Sequence, residues 1–204
     1  MKTLGFTRPA SKLQASVEEA EAMGFRVFAA PSLDVIPGDP SEFERLAHCI
    51  FEGIPIIFGS TTAVDACSRQ FGGDFDEMLV GCDVIAIGPE TADRLRECDV
   101  RVDLVPEDYS SYGLLEIVRS RYGSGRIAIV RSDRGSRLLS DGLRDHGLET
   151  EDIAVYRLRE ADLGPEMSGI MDMISAGRLD WMAFTSPMSA ESFFGRMRDR
   201  YGDD

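Results

Sequence analysis

Histidine is nearly missing from this chain: 204 residues contain two, His48 and His146. Neither has a second ligand at metal spacing, so no metal site is supported, and a Ser-His-acid catalytic set has too little to draw on. Cysteine is sparse as well. Cys49, Cys67, Cys82 and Cys98 stand far apart with no Cys-x-x-Cys pair, and are expected as buried free thiols. No apolar run approaches the roughly 18 residues of a membrane span. The N-terminus reaches Arg8 after a few apolar residues and shows no small-residue cleavage site, so no signal peptide and a cytoplasmic location are expected. Positive charge is in deficit, with 22 Lys+Arg against 36 Asp+Glu and a net charge of −14. That balance repels phosphate backbones and anionic membranes, so neither nucleic acid nor a membrane is an expected partner. An anionic ligand would have to be held locally, by a few arginines or by backbone N–H groups.

What the chain does contain is a long-period repeat. An apolar stretch, Leu4-Gly5-Phe6, is followed by Thr7-Arg8-Pro9, a helical pattern (Leu13, Val17, Ala20, Met23), a stop at Gly24 and a strand from Arg26 to Ala30. The same grammar returns later. Ile127 to Val130 is a strand ending in Arg131-Ser132, a helix carries Leu138, Leu139 and Leu143, Gly147 stops it, and Ile153 to Tyr156 is the next strand. Arg8 and Arg131 lie 123 positions apart, as do Gly24 and Gly147. A second pair of motifs agrees: Ile56-Ile57-Phe58-Gly59-Ser60-Thr61-Thr62 and Trp181-Met182-Ala183-Phe184-Thr185-Ser186-Pro187 place Ser60 and Ser186 126 positions apart. Such a period suits a duplicated half-protein and is too long for a solenoid.

A third motif, Val84 to Ala92, leads into a helix, a short strand expected over Val100 to Val105, and a helix begun by Ser110-Ser111. Shifted by 126, its counterpart would fall at about 210 to 249, past Asp204, so the first lobe is expected to lack its last strands. Alternating strands and helices predict an α/β fold: two similar lobes with parallel sheets flanked by helices. Pro37-Gly38-Asp39-Pro40 and the stretch from Arg159 to Pro165 read as the two linkers. Lobe 1 is then expected over residues 1–35 and 160–204, and lobe 2 over 36–159.

Ligands of open parallel sheets bind outside the carboxyl ends of the strands. Here those ends carry Thr7-Arg8, Ser60-Thr61-Thr62, Gly88 through Thr91, Arg131-Ser132 and Thr185-Ser186, each where a helix begins. Free N–H groups and the helix dipole attract carboxylates or phosphates at such points. Serine or threonine before a helix is also an ordinary cap, worth about 1 kcal/mol without any ligand. Arg8 and Arg131 do not have that explanation, although a strand-end arginine can simply be a solvated charge. Gly123-Ser124-Gly125 precedes its strand and so fits neither a dinucleotide fingerprint nor a P-loop. Met171, Met173, Met182 and Met188 are expected to fill core space. Tyr156 is the one phenol at a strand terminus, with a half-buried structural tyrosine as the plain alternative.

Taken in order, Thr7-Arg8-Pro9, Phe58-Gly59-Ser60, Ile87-Gly88-Pro89-x-Thr91-Ala92, Val105-Pro106-x-x-Tyr109-Ser110-Ser111-x-Gly113-Leu114-Leu115, Arg131-Ser132-Asp133-x-Gly135, Val155-Tyr156-Arg157 and Phe184-Thr185-Ser186-Pro187 resemble the uroporphyrinogen-III synthase family. The resemblance spans nearly the whole chain. It implies two lobes joined by two linkers with an active-site crevice between them, one lobe keeping three strands where its twin has five. It implies cyclisation of the linear tetrapyrrole hydroxymethylbilane to uroporphyrinogen III, with loss of water through an azafulvene, a spirocyclic intermediate and inversion of ring D. No cofactor is implied, and a monomer is expected. The family's usual candidate for an acid carries over as Tyr156. The substrate-binding positions are Thr7, Arg8, Ser60, Thr61, Thr91, Arg131, Ser132, Thr185 and Ser186. The alternative is a truncated, non-catalytic relative that binds a tetrapyrrole or another anionic small molecule.

Overall fold

The first strand, β1 (Thr3–Thr7), takes its neighbours from opposite ends of the chain: β2 (Arg26–Ala30) on one side and β8 (Trp181–Phe184) on the other, both parallel to it. The computed structural model describes residues 1–202. Between β1 and β2 runs α1 (Ala10–Ala22); α8 (Pro165–Ser175) precedes β8 and α9 (Pro187–Tyr201) follows it. Ala30, Met167, Ile170, Met171 and Phe193 form the core of this unit, with Phe28, Met182 and Phe184 packed against it. The start of the sheet is clamped by one carboxylate. Asp180 Oδ2 accepts from Thr3 N at 2.8 Å, and Asp180 Oδ1 pairs with Lys2 Nζ at 2.9 Å.

The second unit spans Pro37–Arg157; the first comprises Met1–Ile36 and the chain from Leu158 onward. Its helices are α2 (Pro40–Phe51), α3 (Thr61–Phe71), α4 (Phe75–Met78), α5 (Pro89–Arg96), α6 (Ser111–Arg121) and α7 (Leu138–Asp145). Its strands β4 (Ile56–Phe58), β5 (Val84–Ala86), β6 (Gly125–Ser132) and β7 (Leu148–Glu160) join β3 (Leu33–Pro37) in a five-stranded sheet ordered β3-β7-β6-β4-β5. The pairs β5–β4, β4–β6 and β6–β7 are all parallel. β4, β5 and the middle of β6 are apolar at every position because helices cover both faces. Ile57, Ile85, Ile127 and Ile129 meet Leu114 and Val118 of α6 and Leu139 and Leu143 of α7. Phe58 points the other way, as strand alternation requires, and meets Phe75 edge-on at 6.1 Å between ring centres.

The repeat is visible in the strand order, since β2-β1-β8 reproduces β7-β6-β4 with the corresponding sequence motifs in corresponding places. One expectation needs correction. The fifth strand is Leu33–Pro37, and the Val100 to Val105 segment makes only one bridge, Leu104 to Ile85. There the Asp103 carboxylate accepts from Val84 N at 2.9 Å, taking a donor that a regular ladder would use. The Pro37–Pro40 stretch is likewise ordered by hydrogen bonds. Gly38 N donates to Val155 O at 3.0 Å, Asp39 caps α2 through Ser41 N, and a side chain at Gly38 would stand 2.3 Å from Ala154 O. Arg159 and Glu160, at the start of the second linker stretch, continue β7.

Candidate functional site

At the carboxyl ends of β4 and β6 the backbone leaves a recess. Three apolar residues take β4 to Gly59, and Ser60, extended at φ −171° and ψ 158°, turns the chain into α3. Ser60 Oγ accepts from Ala63 N at 3.1 Å, which satisfies one of the free donors of that helix. On the neighbouring strand Arg131 lies opposite Ala154, yet Ser132 lies opposite Tyr156, so β7 carries one extra residue at Val155. Bulges of this kind re-aim the side chain that follows. Asp133 N donates to Tyr156 O at 3.1 Å and closes the distortion.

The result is a cavity of about 160 Å³ lined by Gly59, Ile87, Ser111, Arg131, Ser132 and Tyr156, with Gly135 and Ser136 on its rim and Leu114, Ile129 and Leu139 as apolar floor. Tyr156 is 8% exposed, and its hydroxyl lies 3.1 Å from Ser60 Oγ. Sites for drug-sized ligands usually span about 300–1,000 Å³, so this recess takes one arm or one end of a larger molecule. The helix that supplies Ser111 is capped by Ser110, whose Oγ accepts from Tyr112 N and Gly113 N, both at 3.2 Å. Gly113 is obligatory there, because a Cβ would lie 1.9 Å from Asp108 O.

Arg131 occupies the cavity wall with its donors already engaged. Its guanidinium pairs with Asp152, donates to Ser136 O and reaches Ser140 Oγ at 3.3 Å, leaving the side chain 16% exposed. It therefore ties the rim loop to α7 and β7, a job that strand-end position alone does not disclose. Of the other sequence-selected residues in this unit, Thr61 opens α3, and Thr91 is buried in the first turn of α5; neither lines the cavity.

The remaining selected residues lie in the other unit. Thr7 ends β1 fully buried, its hydroxyl without a hydrogen-bond partner. Arg8 folds back so that Nη1 donates to Ser16 Oγ at 2.6 Å. Thr185 is exposed after β8, and Ser186 caps α9 by accepting from Ser189 N at 3.1 Å. Ser111 and Ser136 were not selected in advance. Ser111 stands in the sequence as a helix start within Tyr109-Ser110-Ser111-x-Gly113, and Ser136 only as the residue after Arg131-Ser132-Asp133-x-Gly135.

Among the described residues no group of three or more His, Cys, Asp or Glu is placed to hold a metal ion, and no helix is long and apolar enough to cross a membrane. Cys49, Cys67 and Cys82 are buried free thiols, and Cys98 is half-buried and free.

The comparisons converge. The family model described as uroporphyrinogen-III synthase HemD matches residues 14–204. A protein of Methanothermobacter thermautotrophicus, provisionally named uroporphyrinogen-III synthase, is 32% identical over 197 residues, covering 94% of this chain and 76% of that protein. The uroporphyrinogen-III synthase of Chlorobaculum parvum is 25% identical over 198 residues, covering 95% of this chain and 78% of its own. In fold, the chain is similar to a crystal structure of a mutant uroporphyrinogen III synthase from Thermus thermophilus, with a TM-score of 0.71 at 19% identity, covering 98% of this chain and 81% of that one. The Helicobacter pylori enzyme structure gives a TM-score of 0.57 at 16% identity, covering 96% and 78%. The order of motifs, the parallel sheets flanked by helices and these relatives lead to one assignment: the chain belongs to the uroporphyrinogen-III synthase family.

Proposed function

We propose that this protein cyclises hydroxymethylbilane to uroporphyrinogen III, with loss of water and inversion of ring D. The observation that carries the reading is the Tyr156 hydroxyl, a lone phenol lining a recess at the carboxyl ends of β4 and β6, beside the N-terminus of α3. The Tyr156 proton passes to the ring-A hydroxyl as its C–O bond breaks and water leaves. The pyrrole nitrogen lone pair fills the vacated position and gives the azafulvene. Attack by the ring-D end forms the spirocycle, whose rearrangement and final loss of a proton complete the macrocycle and return the catalyst. The sequence is redox-neutral and requires no electron acceptor.

The rest of the task is to hold a flexible chain in its productive fold, a proximity effect that lowers the barrier to ring closure. The substrate's eight carboxylates suit a surface rimmed by helix N-termini even on a protein of net charge −14. In this reading Ser132, Ser111 and Ser136 donate to one substrate arm in the recess, and Thr61 at the start of α3 serves another carboxylate. Arg131 holds the rim loop.

A coupled assay from porphobilinogen tests the activity. Formation of the type III isomer is expected, and only the spontaneous type I isomer would refute it. Loss of a positioned acid costs about 10²-fold or more. Tyr156→Phe is therefore expected to lower kcat by about 100-fold, and undiminished turnover would remove Tyr156 from the chemistry.

A further inference from the structure

We infer that Ser60 is a positioning residue that acts through Tyr156, by donating its hydroxyl proton to Tyr156 Oη, and that it does not itself bind substrate. The inference rests on the reading of Tyr156 as the acid and adds the reason why that phenol can deliver its proton. Ser60 Oγ lies 3.1 Å from Tyr156 Oη, and either oxygen could be the donor on distance alone. The second partner of Ser60 favours one direction. Its oxygen already accepts from Ala63 N at 3.1 Å, so the hydroxyl proton remains for donation. With Ser60 as donor, the Tyr156 proton is free to point into the recess. With the opposite polarity, that proton would be spent on Ser60 and turned away from the substrate.

The same arrangement serves the next moment of the reaction. Once Tyr156 has given up its proton, the phenolate oxygen accepts from Ser60, and Ser60 is itself polarised by the N-terminus of α3 (Thr61–Phe71). Hydrogen bonds to a charged acceptor are the stronger kind, so the contact tightens as charge develops, which is the condition for accelerating a step. The cavity lining includes Tyr156 and Gly59, the residue before Ser60, and not Ser60 itself.

Three substitutions separate the possible roles. Ser60→Ala removes both the cap and the donor; Ser60→Thr keeps both; Ser60→Asp keeps a capping oxygen but at neutral pH offers no proton. The expected result is a fall in kcat of about tenfold for Ser60→Ala at unchanged KM, recovery in Ser60→Thr, and an equally low kcat in Ser60→Asp with its thermal midpoint retained. In a Tyr156→Phe background, Ser60→Ala is expected to add no further loss. A readout independent of turnover is the resonance of ¹³Cζ-labelled tyrosine, with Tyr156 identified by the signal missing from Tyr156→Phe. That resonance should move in Ser60→Ala and return in Ser60→Thr.

Full activity in Ser60→Asp would reduce Ser60 to a helix cap, and a rise in KM alone would make it a substrate contact. An unmoved resonance, or additive losses in the double variant, would dissolve the link to Tyr156. Each of these overturns the inference while leaving the acid in place. A fully active Tyr156→Phe overturns both together.

Discussion

Replacing Arg131 with methionine keeps most of the aliphatic stem and removes the guanidinium that joins the rim loop to α7 and β7. The partners set the size of the effect. Breaking a fully buried pair costs about 3–5 kcal/mol. An exposed pair is worth about 0–1 kcal/mol. Arg131 and Asp152 lie between those limits, with side chains 16% and 33% exposed. Ser140 keeps its bond to Arg137 O at 3.2 Å, and Asp152 keeps Arg144 Nη2 at 3.1 Å on its Oδ2, so only the buried Asp152 Oδ1 loses its cation. A loss of about 2 kcal/mol follows, corresponding to a fall in Tm of roughly 6–8 °C for a unit of this size. The lone tryptophan, Trp181, belongs to the other unit, so far-ultraviolet circular dichroism in heat and urea is the suitable probe. A loss below about 0.5 kcal/mol, the scale of an ordinary surface change, would refute the reasoning. Arg131 would then be free to meet the substrate, and its loss should appear in KM instead.

Two further outcomes follow from charge and burial. The Asp180 carboxyl is held well below its ordinary value of 3.8, first by the Thr3 backbone N–H and then by Lys2 and the Thr3 hydroxyl. Its contribution is complete above that ordinary value and is lost as pH falls through the depressed folded value. Asp180→Asn should therefore unfold more readily at neutral pH, and its deficit should shrink below about pH 4, as read by fluorescence of the adjacent Trp181. An equal deficit at all pH values would contradict this. Burial pushes the Cys67 thiol far up, and Cys49 and Cys82 upward as well. Ellman's reagent should reach Cys98 in the native protein and the other three only on unfolding; early release of a second thiol would contradict that order.

The features legible in advance were local ones. Ser60, Ser110 and Ser186 each precede a helix in the sequence and each caps one in the structure, because the capping oxygen and its N–H are only two or three residues apart. The repeat disclosed which strands correspond, while their order became visible only in the sheets. Leu33–Pro37 was obscured by the prolines that flank it, and Val100 to Val105 looked like a strand because nothing local reveals that Asp103 displaces a ladder bond. The meeting of Ser60 with Tyr156 spans 96 residues, and the reach of Arg131 to Asp152 depends on the pairing of β6 with β7. Such contacts are products of the sheet, and a single sequence names only their participants.

The central place of β1 also has a bearing on how the chain is made. β1 leaves the ribosome well before β8, its other neighbour in the sheet, whose paired residue Trp181 lies 177 positions after Leu4. The unit over Pro37–Arg157 is continuous and holds all it needs well before β8 is synthesised. Domains fold as units during synthesis. A parallel pair closed over so long a chain forms slowly. The unit over Pro37–Arg157 is thus built while β1 and β2 wait for β8, and the clamp of Asp180 on Lys2 and Thr3 is a late stitch between segments made far apart in time.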